Sequence, residues 1–81
     1  MTRSVVTVTD TWTQISAVAC SIVRGEGLGH QIHVNETATD VAALTTVMAE
    51  DTLVVQNETK DTFIRKNVGD LDTVTIILDE V

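Results

Sequence analysis

Apolar and polar residues alternate along most of this chain in short runs, and each run stops at a cluster of polar residues or glycine. The most regular run is 73–78, with Val74, Ile76 and Leu78 on one side and Thr73, Thr75 and Ile77 on the other. Successive strand side chains point to opposite faces, so a period of two predicts a strand with one buried face. The same pattern predicts strands at 3–8, 12–15, 17–24, 30–36, 44–48, 52–56 and 62–66. In the second half of the 17–24 run, Val18, Cys20 and Ile22 share a face. In 30–36, Ile32 and Val34 point inward while Gln31, His33 and Asn35 point out. Leu53 and Val55 point inward from 52–56.

Gly25-Glu26-Gly27-Leu28-Gly29 is the strongest turn signal, because glycine reaches positive φ without steric cost. It predicts a β-hairpin joining 17–24 to 30–36. The stretch 37–43 reads as a loop or one helical turn, with Thr39 or Asp40 as a possible cap. Seven or eight short strands at this spacing predict an all-β fold, a small antiparallel sandwich or barrel on an up-and-down or Greek-key path. The whole of 1–81 forms one domain.

Composition strengthens the strand reading. The chain has 13 Val, 14 Thr and 6 Ile, no Pro, and only two aromatics, Trp12 and Phe63. β-Branched side chains are stiff at χ1 and fit a pleated surface. The only cysteine, Cys20, allows no internal disulfide, so the fold must rest on its core, on self-association, or on both. A lone thiol also fits assembly in a reducing compartment. No run approaches the roughly 20 apolar residues that span a bilayer, and no membrane partner is expected.

The net charge of −7 works against binding nucleic acid, whose phosphates require clustered Lys and Arg. Lys60, Arg65 and Lys66 are interrupted by Asp61 and read as a solvated strand end. Gly25, Gly27 and Gly29 resemble a phosphate loop, but that chemistry needs a helix N-terminus directly after the glycines, and a strand follows here. His30 and His33, with Glu26, raise a metal site, yet residues three apart on a strand diverge. Asp70 and Asp72 share a side and could hold calcium with loop oxygens. Cys20 sits between Val18 and Ile22, where a thiol is a small hydrophobe rather than a nucleophile. Trp12 lacks the companion aromatics of a stacking platform and reads as a core or interface anchor. No acid–base pair or nucleophile system remains, so no enzyme activity, cofactor or metal is expected.

Five segments, in order, carry a resemblance. They are Thr9-Asp10-Thr11-Trp12-Thr13-Gln14-Ile15, Ile32-His33-Val34, Ala49-Glu50-Asp51-Thr52-Leu53, Asp61-Thr62-Phe63-Ile64-Arg65 and Thr73-Val74-Thr75-Ile76-Ile77. Together they resemble the small β-sandwich accessory proteins of tailed bacteriophages, which decorate heads or sit on fibres. Glu50-Asp51 stands where those proteins commonly have a Pro-Gly turn. The resemblance implies a structural virion protein, made in the host cytoplasm, that binds a major capsid or other virion protein and forms a homo-oligomer. It implies no catalytic residues. Trp12, Val54, Phe63 and Ile77 are the candidate contact residues, the last two aliphatics lying opposite the inward stripes of their strands. Two alternatives stay open: a soluble carbohydrate-binding module, and an acidic inhibitor of a nucleic-acid-binding protein.

Overall fold

Eight strands make up the fold in a computed structural model that describes residues 2–26, 30–40, 45–48, 55–58 and 61–81. They are β1 (Thr2–Val8), β2 (Thr13–Ser16), β3 (Cys20–Glu26), β4 (Gln31–Asn35), β5 (Thr45–Met48), β6 (Val55–Asn57), β7 (Thr62–Lys66) and β8 (Val74–Glu80). One sheet has the order β1-β8-β3-β6 and the other β2-β7-β4-β5. Every strand pair is antiparallel. The expected all-β sandwich is therefore present.

The pairing has a simple rule. β1 pairs with β8, β2 with β7, β3 with β6 and β4 with β5, as if one long hairpin had its tip between β4 and β5. That ribbon is then wrapped, so that β3 also joins β8 and β4 also joins β7. Two four-stranded sheets in this order form a jelly roll.

Wrapping corrects one expectation from the sequence. The segments around the glycine run do not form a hairpin: β3 lies in the first sheet and β4 in the second. The glycines mark a passage between layers, and Gly27 and Gly29 themselves lie outside the described residues. A local turn signal says that the chain changes direction, not which sheet receives it.

The core follows the alternation. Val74, Ile76 and Leu78 from β8, Ile22 and Cys20 from β3, Ile32 and Val34 from β4, Ile64 from β7 and Val8 from β1 are buried together. Val6, Ile15 and Val55 pack against this cluster from its margins. Burying apolar area at about 25 cal/mol per Å² is the main force holding the two layers together. Val18 departs from its expected inward position and is exposed. Ser16 Oγ donates to Glu80 Oε2 at 2.7 Å and accepts the Val18 N–H at 3.3 Å, so Ala17 and Val18 turn outward before β3 begins. Asn35 departs in the other direction. It is buried, and its Nδ2 donates to the Thr39 carbonyl at 2.6 Å. Leu53 and Val54 lie outside the described residues, as do residues 41–43 of the 37–43 stretch, while 37–40 form a bend rather than a helical turn.

Candidate functional site

Two groups of polar and aromatic side chains stand out. The first lies against the outer face of the β2-β7-β4-β5 sheet. Along β7, Thr62, Ile64 and Lys66 point into the sandwich, which turns Phe63 and Arg65 outward. Arg65 stands opposite His33 of β4, and Phe63 opposite Asn35 and Gln14. The Arg65 guanidinium lies 5.3 Å from the centre of the Trp12 ring, a cation–π contact. Its Nη2 donates to Asp40 Oδ1 at 3.0 Å, and Trp12 Nε1 donates to the same oxygen at 3.1 Å. The Arg65 hydrogen bond holds the Asp40 carboxyl below its ordinary value of 3.8 against the opposing effect of desolvation, and the Trp12 N–H adds to it. Trp12 is thus a half-buried side chain clamped by one cation and one carboxylate. The Arg65 guanidinium occupies one face of its ring.

The second group braces the β7–β8 connection at one end of the sandwich. His30, just before β4, places Nδ1 2.6 Å from Asp70 Oδ2 and Nε2 3.2 Å from Asp72 Oδ2. Asp70 Oδ1 also accepts the Asp72 backbone N–H at 3.0 Å. That bond, followed by His30, pulls the Asp70 carboxyl below 3.8 despite partial desolvation. Lys66 Nζ donates to the Asp72 carbonyl. Gly69, at φ +83°, donates its N–H to Asp10 Oδ2 at 3.3 Å. One ligand atom from each of His30, Asp70 and Asp72 falls within 4.8 Å of the others. The imidazole, however, sets one nitrogen against each carboxylate, so the geometry is that of a brace across the loop.

The brace carries two side chains that the sequence did not single out. Val68 and Leu71 are 80% and 95% exposed, at the tip of a loop held from four sides. Neither alternates with a neighbour, so periodicity carried no signal for them. The basic group also needs correction. Lys66 is buried and Arg65 is ion-paired, so neither is a solvated strand end, and Lys60 lies outside the described residues. Inward alternation with Thr62 and Ile64 is what draws Lys66 in.

The candidate contact residues separate in space. Trp12 and Phe63 belong to the outer face of the second sheet. Ile77 lies on the outer face of the first, beside Val5, and Val54 lies outside the described residues. His30 and His33 are not brought together: His33 Nε2 donates to Asn67 Oδ1 at 2.7 Å, away from the His30 brace. Cys20 is buried, with Sγ 3.3 Å from Thr62 Oγ1. A depression of about 360 Å³ on the first sheet involves Ser21, Val23, Gln56 and Asp79. Asp79 there is engaged by Arg3 at 2.7 and 2.8 Å, which lowers its pKa from 3.8. No family model, no curated protein and no solved structure matches this chain.

Proposed function

We propose that this protein is a structural component of a viral particle, binding a larger shell or fibre and associating with itself. The observation that carries this reading is the strand order. An eight-strand jelly roll is an architecture of viral capsid domains, shared with lectins and cupins. Fold alone does not assign function, so the side chains must discriminate among these uses. The Trp12 ring is capped by Arg65, and its N–H is held by Asp40, which disfavours a lectin-like stacking role. Cys20 is enclosed in the core, and His30 is committed to two carboxylates.

On this reading the protein works by area and shape. The Trp12–Phe63 face and the braced Val68–Leu71 tip add rigid apolar contacts across a subunit boundary, where aromatic anchors dominate binding energy. Rigid tips lose little conformational entropy on docking. The test is re-binding of purified protein to particles stripped of it. Trp12→Ala should weaken retention roughly tenfold or more, as hot-spot truncations do. Retention of the variant equal to the wild type, together with specific binding on a glycan array, would favour the carbohydrate-binding alternative.

A further inference from the structure

We propose that two copies of this chain join edge to edge through β1, antiparallel and centred on Val5. The proposal gives a surface and a geometry to the self-association in the functional reading above, on which its biological purpose rests.

Four strands end the two sheets, and among the described residues β1 is the longest of them. It has seven residues, and β2, whose two ends are both described, has four. Short or bulged edges resist pairing with other chains, as do edges bearing Pro or free Lys. β2 has such an irregularity, its register shifting between Gln14 and Ser16. β1 has none. Its register with β8 runs unbroken from Thr2 opposite Glu80 to Val8 opposite Val74. Its one charged residue, Arg3, is held on its own chain by both carboxylate oxygens of Asp79. Among the described strands, β8 is the only ladder partner of β1. The other side of β1 offers a straight row of backbone donors and acceptors roughly 24 Å long at about 3.4 Å per residue.

A second copy fits this edge on side-chain grounds. A two-fold axis at Val5 places Val5 against the partner's Val5, Arg3 against the partner's Thr7 and Ser4 against the partner's Val6. No like charges meet. Val5 is 73% exposed on the outer face, directly opposite Ile77 of β8. Pairing therefore extends Ile77 and Val5 into an apolar row four strands wide, completed by the same two residues of the second copy. β1 contains no acidic residue, so two chains of net charge −7 would meet where their carboxylates are sparse. The contact is isologous and closes at two copies.

Sedimentation equilibrium of the purified chain tests this, with Val5→Lys as the variant and Val18→Lys as the control. Val18 is also exposed but lies in the turn between β2 and β3. Wild type and Val18→Lys should be dimers, and Val5→Lys should dissociate at roughly tenfold or higher concentration, since it sets two like charges directly opposite. A monomeric wild type overturns the proposal, and so does a Val5→Lys protein that dimerises as tightly as the control. Amide exchange on the wild type decides independently of any variant. The β1 amides that face away from β8 should be protected at dimer concentrations and lose that protection on dilution, and concentration-independent exchange of those amides overturns the proposal. Particle binding is read separately, so either proposal can fail alone.

Discussion

Ile64 is 1% exposed at the centre of β7, between the two layers. Ile64→Ala should cost about 2–5 kcal/mol, because surrounding side chains only partly fill the space left behind. The measurement is the urea midpoint at unchanged slope. Arg3 and Asp79 make a different kind of prediction. Arg3 lowers the Asp79 pKa below 3.8, so the folded state favours the ionised carboxyl. That stabilisation is complete above about pH 4 and is lost as pH falls through the depressed value. Arg3→Gln removes the cause. Its thermal midpoint should lie below wild type at neutral pH and converge on it in acid, and parallel curves would refute the pairing. Arg3 is largely exposed, so solvent screening keeps the effect modest.

At the scale of elements, strands with one wet and one dry face were legible. Val74, Ile76 and Leu78 announced β8, and Ile32 with Val34 announced β4, because the pleat writes burial into a period of two. Partners were not legible. Gly25 to Gly29 marked a reversal, yet β3 and β4 enter different sheets because the wrapping depends on strands far along the chain. His30 and Asp70 are forty residues apart in sequence, and only the meeting of β4 with the β7–β8 loop joins them. Asp70 and Asp72 were recognisable as a pair, but the imidazole that braces them was not. Within that loop, Gly69 has open space where a Cβ would project, so its positive φ alone makes substitution costly. Gly69→Ala should lose about 1–2 kcal/mol, and Gly69→Asn less, since Asn tolerates the left-handed region. Equal thermal midpoints for the two variants would contradict this.

Across the whole molecule, β1 pairs with β8, so the first sheet cannot close until both of these strands are in place. The β-branched excess builds the two sheets, and the polar side chains are largely spent on bracing them. Among the described residues, the exposed large apolar side chains are Val5, Val18, Val68, Leu71 and Val81, while Trp12, Phe63 and Ile77 are half-buried. The most direct measurement is mass spectrometry of viral particles purified through a density gradient from cells producing this chain. The expected result is the chain in the particle band at a fixed stoichiometry to the major shell or fibre protein. Recovery only at the top of the gradient, with none in intact particles, would contradict a structural role.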